Sequence, residues 1–401
     1  MPSVPMTSLD LTDPGFVADP YPWFAEERSR LAGTGGVAWH EPSGRWLTLT
    51  HAAAGAVLRN RRLQRLWQDK QPAGYLEPFN LLHRNQMMEN EPPVHTRLRR
   101  SVAEAFNRGH VERLRPRVRE LAAGLLDAAD PAGFDVIEAY AEPLPVLVIA
   151  ELLGVPAEHA PQLRDWSQAI VRMYEVDPSP ERVDAAVSAA DQFAALVRDL
   201  VARRRSAPAD DLVTDLLATD LTEDELVASV VLLLNAGHEA SVNVFGNGLV
   251  AMLRAGLRPG GDVALTVEEM LRYDSALQLF ERTAVEPVEI GGVTVEPGQR
   301  IAALLGAANR DPAVFADADA FDVARDPNPH VAFGAGVHFC LGAPLARMEL
   351  VESVTALFAR YPDLDLAGDP ESRGTFVLRG HRAVPVTGTA SAAAAATAGV
   401  L

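Results

Sequence analysis

The chain has 401 residues, 48% apolar and 22% charged, proportions of an ordinary globular protein rather than a disordered chain. Its net charge of -18 argues against nucleic acid as the main partner and against adhesion to an anionic membrane, both of which call for a basic face. One cysteine, Cys340, excludes an intrachain disulfide and a Cys-rich zinc or iron–sulfur centre.

Met1 to Phe16 lacks the basic and apolar regions of a secretory signal. The most apolar stretch, Leu226 to Leu234, is interrupted by Ser229 and stops at Asn235, short of the ~20 residues that span a bilayer. A cytoplasmic protein is expected. Pro20 to Leu31 reads as a first helix, followed by short strands between Val37 and Thr50. Arg61 to Pro93 has no clear period and is long for a plain connection, a feature of functional loops. Helical patterns then run over Val94–Asn107, His110–Ala129, Val136–Leu153, Ala160–Tyr174 and Pro180–Ser206.

The longest helix should cover Asp220 to Arg254, capped by Thr222 with Glu225 as its capping-box partner. It is apolar nearly all round and should be buried. A short helix at Thr266–Tyr273 follows, then strands within Arg282–Ile301 with turns at Gly291-Gly292 and Pro297-Gly298, and a last helix over Leu341–Tyr361. No repeat or linker is visible, so residues 1–386 read as one mainly α domain with a small β-rich part. The Ala-, Ser- and Thr-rich tail 387–401 reads as disordered.

Cys340 lies in Phe333-Gly-Ala-Gly-Val-His-Phe-Cys-Leu-Gly342, just before the last helix. Glycines let such a loop turn tightly and approach a bulky planar group, and a helix N-terminus favours a thiolate. A lone cysteine is otherwise most often a small buried hydrophobe. Here Phe333, Gly336, Cys340 and Gly342 fill every fixed position of Phe-x-x-Gly-x-x-x-Cys-x-Gly, and the segment resembles the signature of the cytochrome P450 family. The resemblance extends from about Asp19 to about Val386 and implies the triangular-prism fold of that family, with haem b between the long helix and the cysteine loop. Cys340 would be the iron ligand, and a thiolate there favours O–O cleavage.

Other segments carry what the resemblance implies. Glu269 and Arg272 resemble the Glu-x-x-Arg element, with Arg325 or a nearby group as third member of a network bracing the cysteine loop. His95, Arg99, Arg282 and His338 resemble the partners of the haem propionates. Arg97, Arg100, Arg108 and Arg113 form a basic cluster where a ferredoxin would dock, passing on electrons from NAD(P)H through a ferredoxin reductase; a solvated helix face is the plain alternative.

In the long helix, Ala236, Gly237 and Glu239 match the oxygen-binding Ala-Gly-x-Glu/Asp-Thr groove, but Ala240 stands where the family has Thr. Ser241 carries a hydroxyl one residue on, turned by roughly 100° along the helix. Proton delivery through Glu239 and water, a substrate hydroxyl in place of the Thr, or oxidative coupling instead of hydroxylation are the three readings.

The substrate contacts implied are Leu81, Met87, Met88, Met173, Leu233, Ala236, Leu279, Phe280 and Phe376, a mostly apolar lining that could equally be core. The function expected is oxidation of a medium-sized apolar metabolite, probed against a peroxide-driven peroxygenase and a haem-based gas-binding protein without turnover. A second departure is the Gly- and Pro-rich stretch 254–262, shorter than the helix usual there.

Overall fold

In the computed structural model, which describes residues 4–130, 132–175 and 178–391 apart from the side chains of positions 105 and 108, the strand signals near the N-terminus gather with those of residues 279–304. Val37–His40, Arg45–Thr48, Arg300–Leu304, Leu279–Ala284 and Leu63–Gln64 form one five-stranded sheet in that order. Arg45–Thr48 runs parallel to Arg300–Leu304, and the other neighbours are antiparallel, with Arg282 opposite Ile301. Val37, Trp46, Val57, Leu63, Ile301 and Ala303 are buried in the core that this sheet shares with the helix His51–Arg59. The hairpin Val288–Ile290/Val293–Val295 turns at Gly291 and Gly292, both at positive φ, as the two-glycine turn requires.

The chain divides into two compact units. The first holds residues 1–66, 247–340 and 372–380, and therefore this sheet and the cysteine loop. The second holds residues 67–246, 341–371 and 381–401. It is helical, with Val94–Ala103, Arg108–Ala128, Pro143–Leu153, Ala160–Val171, Pro180–Ser206 and Ala343–Arg360 as its main elements and a three-stranded sheet of Phe134–Asp135, Pro385–Thr387 and Asp365–Leu366.

The long helix spans Glu223–Arg254. Its capping box is formed: the Glu225 N–H donates to Thr222 Oγ1 at 3.3 Å and the Thr222 N–H to Glu225 Oε2 at 2.9 Å. By length and composition this helix would pass as a membrane span, against the sequence expectation, but 83% of its most apolar window is buried inside the protein, as in a core helix.

Several elements differ from expectation. Residues 61–93 are not structureless: they contain the strand Leu63–Gln64, a helix Glu77–Arg84 and a 3-10 turn Met87–Glu89. The helix begins with Glu77-Pro78, and a proline suits its first turn. Leu212–Leu217 is a further short helix, capped by Asp211, whose side chain accepts from the Thr214 N–H at 2.9 Å. The stretch 255–262 stays non-helical until Val263, where Asp262 caps the next helix. In the tail, the Thr389 N–H donates to Asp363 Oδ1 and the Ser391 N–H to the Arg360 carbonyl, while residues 392–401, part of the segment expected to be disordered, lie outside the described residues.

One buried network organises the first unit. Glu269 and Arg272, one turn apart on the helix Val263–Tyr273, are both fully buried and form a bidentate pair at 2.7 Å. Arg325 Nε approaches the same carboxylate at 3.1 Å, and the Asn328 amide and Asp322 N–H also donate to it. Arg272 Nη1 further donates to the carbonyls of Asn309 and Ala318. Removing one partner of a buried pair leaves an uncompensated charge, which costs about 3–5 kcal/mol. Arg272→Met should therefore lower the unfolding free energy by about that much in urea titration; a loss below ~1 kcal/mol would show that the pair is surface-like in energy.

Candidate functional site

The cysteine loop is shaped by two glycines in the left-handed region. Gly334 has φ +68° and Gly336 φ +72°. A methyl group on Gly336 would lie 2.4 Å from the Leu58 carbonyl oxygen, and one on Gly334 would press on the Phe280 ring at 3.4 Å. Only glycine serves at position 336, where both backbone and space exclude a side chain. The Cys340 N–H donates to the Phe333 carbonyl at 3.0 Å, closing the loop on itself. Its base is tied to the buried network: Asn309, whose carbonyl takes Arg272, accepts the Val331 N–H at 2.8 Å through its side chain, and Gly334 N–H donates to the Val331 carbonyl. His330 adds a second tie, Nε2 to Glu268 Oε2 at 2.9 Å. Cys340 itself is partly exposed, three residues before the helix Ala343–Arg360 begins. A thiol held on a rigid, glycine-opened loop and kept partly exposed suits a ligand rather than a packing residue.

Arg282 and His338 lie in the same unit as Cys340. Arg282 is buried on the strand Leu279–Ala284, with Nη1 donating to the Glu281 carbonyl, and His338 ends the 3-10 turn Gly336–His338. His95 and Arg99 lie in the other unit, one turn apart on Val94–Ala103; His95 is buried and Arg99 half-buried. Buried basic groups of this kind are the natural partners of carboxylates such as haem propionates.

The long helix has one interruption in its burial. From Leu226 to Val250 every residue is buried except Ala236, Gly237 and Ala240. Ala236 and Ala240 are spaced i,i+4 and share a face, so the helix presents one small-residue window. Gly237 also has a packing reason, since a methyl there would stand 3.3 Å from Ile149. A window free of bulk in an otherwise covered helix leaves room for a flat group against that face.

Next to the window the helix is polar. His238 and Glu239 are buried, with Nδ1 and Oε1 3.4 Å apart. The Ser241 hydroxyl donates to the carboxyl of Glu349 on Ala343–Arg360, a partner that sequence reasoning missed. The only sequence signal was a Glu in an apolar helical stretch, and nothing in spacing ties it to residue 241. Burial pushes the Glu349 carboxyl up to about 8, the Ser241 hydrogen bond pulling the other way. Glu349 therefore holds its proton at neutral pH.

Of the expected substrate residues, Ala236 is exposed in the window, and Leu81, Met87, Met88 and Phe280 are half-buried. Leu233, Leu279 and Met173 are buried, and Phe376 packs on Phe16 with ring centres 4.8 Å apart, an aromatic core contact. The region is more polar than an apolar lining. Leu82, Gln86, Tyr174, Val231 and Asn235 surround a cavity of about 10 Å³, which is one water in size. There His83 Nε2 lies 3.1 Å from the Tyr174 hydroxyl, and the Ser167 hydroxyl donates to Asn235 Oδ1 at 2.6 Å. In the basic cluster, Arg97 is committed to a bidentate pair with Glu225, while Arg100 and Arg113 are exposed; the side chain of Arg108 lies outside the described residues.

Comparison with known proteins agrees with this geometry. The family model for cytochrome P450 matches residues 263–365, from the Glu269 helix through the cysteine loop. The chain is 38% identical to the monooxygenase PikC of Streptomyces venezuelae, over 96% of this chain and 94% of PikC. It is 37% identical to 6-deoxyerythronolide B hydroxylase of Saccharopolyspora erythraea, over 85% of this chain and 89% of that one. The crystal structure of P450BioI with an acyl carrier protein bearing hexadec-9Z-enoic acid superposes with a TM-score of 0.88 at 32% identity, covering 93% of this chain and 99% of that one.

The raised Glu349 carboxyl has a consequence for stability. Because its folded pKa lies above the ordinary 4.5, its contribution is present in full below pH 4.5 and is lost as pH rises to about 8. Glu349→Gln, which never ionises, should raise the melting temperature relative to the parent more at pH 8.5 than at pH 5. An equal effect at both pH values would show that Glu349 is ionised in the folded protein throughout.

Proposed function

The chain belongs to the cytochrome P450 family and is a haem-dependent monooxygenase, and from that premise we propose that it oxygenates a medium-sized, mostly apolar metabolite of secondary metabolism with electrons delivered by ferredoxin. The observation that carries this reading is the single window at Ala236, Gly237 and Ala240 in a helix otherwise buried from Leu226 to Val250. Haem, when bound, supplies the iron chemistry that activates dioxygen. Cys340 would hold the iron, and His95, Arg99, Arg282 and His338 would hold the propionates.

The rest of the task falls to this chain's own side chains. Ala240 brings no hydroxyl to the window, so proton delivery is assigned to other groups nearby on the long helix and on Ala343–Arg360. Glu349 keeps a proton at its carboxyl near neutral pH, and the Ser241 hydroxyl of the long helix is bonded to it. Glu239, buried beside His238, is a second acid on the same stretch. A group whose pKa lies close to the working pH can both give and recover a proton, which favours Glu349 as the reservoir. Water or a substrate hydroxyl completes the path at Ala240.

The apolar residues Leu81, Met87, Met88 and Leu233 would hold the body of the substrate. Gln86, His83 and Asn235 would favour one that carries a polar group. Arg100 and Arg113, exposed on a chain of net charge -18, would receive the acidic electron donor, where complementary charge speeds encounter more than it strengthens binding.

The Ala240→Thr variant tests proton delivery. Product formed per NAD(P)H consumed, with ferredoxin and its reductase supplied, should be unchanged or lower, because the added hydroxyl duplicates a relay already present. A severalfold gain would contradict the Ser241–Glu349 assignment.

A further inference from the structure

A groove of about 540 Å³ opens in the helical unit, lined by Lys70, Tyr75, Leu76, Met173, Val183 and Asp184. Lys70 is the only lysine among 36 basic residues of Lys and Arg type. Its position is fixed by its backbone. The Lys70 N–H donates to Asn80 Oδ1 at 2.9 Å, and Asn80 Nδ2 donates back to the Lys70 carbonyl at 3.0 Å. Asn80 is fully buried, so these two bonds anchor the lysine at the groove wall while leaving its side chain half-buried.

The acids nearby are already engaged. Asp69 takes Arg84 at 3.0 Å and the Trp67 indole at 2.8 Å, and Asp184 takes the Tyr75 hydroxyl at 2.6 Å. No carboxylate among the described residues stands within ion-pair distance of the Lys70 ammonium. In a chain with an excess of 18 negative charges, a cation left over on an apolar wall is set against the prevailing charge. Leu76, Met173 and Val183 supply that wall. A ligand that matches both features has a carboxylate at one end and a hydrocarbon body at the other. An ammonium gains most from a carboxylate where neighbouring apolar surface keeps water away.

We propose that this groove binds the carboxylate end of an amphiphilic acid, with the Lys70 ammonium donating to the carboxylate and the chain lying on Leu76, Met173 and Val183. The site takes a monocarboxylic acid in preference to the alcohol of equal chain length. Binding here is read without turnover, so it stands or falls separately from the oxidation assigned above.

The sole lysine makes the test direct. Holoenzyme labelled with carbon-13 at lysine Cε gives one lysine signal, which is followed while dodecanoate is added below its micelle concentration, and then dodecan-1-ol. Dodecanoate should shift that signal saturably and the alcohol should not. By calorimetry Lys70→Gln should bind dodecanoate roughly tenfold more weakly, the loss of one charge-assisted hydrogen bond, while Lys70→Arg, which keeps the charge, stays within about threefold of the parent. An unmoved lysine signal, an equal shift with the alcohol, or unchanged affinity of Lys70→Gln would each overturn the proposal.

Discussion

Glu269 is a carboxylate with no access to water, and the first unit is built to satisfy it. Two guanidinium groups, an amide and a backbone N–H converge on its oxygens. Each is costly to bury alone, and together they are fixed, because the remaining guanidinium nitrogens reach backbone carbonyls. Arg272 passes this rigidity to Asn309, and Asn309 passes it to Val331, where the cysteine loop begins. The one thiol of the chain is presented by a backbone that has little freedom left. A metal ligand needs that, since a soft loop would let sulfur wander or pack inward.

The long helix solves a different problem. It buries almost every residue and so is held in place by packing, which permits a short stretch to depart from good helix chemistry. Gly237 costs about 1 kcal/mol in a helix interior, and a buried acid beside it costs more unless partnered. Here the glycine fits Ile149, Glu239 lies against His238, and Ser241 is bonded to Glu349. A small-residue window and the hydroxyl bonded to a proton-holding carboxyl of the helix Ala343–Arg360 thereby lie within two turns of one another. In the proposed function, Ser241 and its partner Glu349 stand in for the hydroxyl that Ala240 lacks.

Much of this could be read from the chain. The helix-capping pair Thr222 and Glu225, the glycine turns and the cysteine motif are local, and local rules govern them. The helix Glu77–Arg84 was hidden because its apolar face is short and interrupted by polar residues that are nevertheless buried: Asn80 clamps Lys70, and His83 stacks on Phe79. The same blindness concealed Glu349 and the polar lining around Gln86 and Asn235. Spacing shows which side chains share a face, but it cannot show which distant side chain answers a buried polar atom. Arg97 illustrates the converse: read as a free docking charge, it is spent on Glu225, a partner 128 residues away.

The proposed function depends on sulfur from Cys340 binding haem iron. The direct measurement is the absorption spectrum of the reduced, carbon-monoxide-treated holoprotein beside that of Cys340→Ser. The parent should show the red-shifted Soret band of a thiolate-ligated haem, and the variant should lose it. A parent spectrum without that shift, with pigment undiminished in the serine variant, would contradict the assignment.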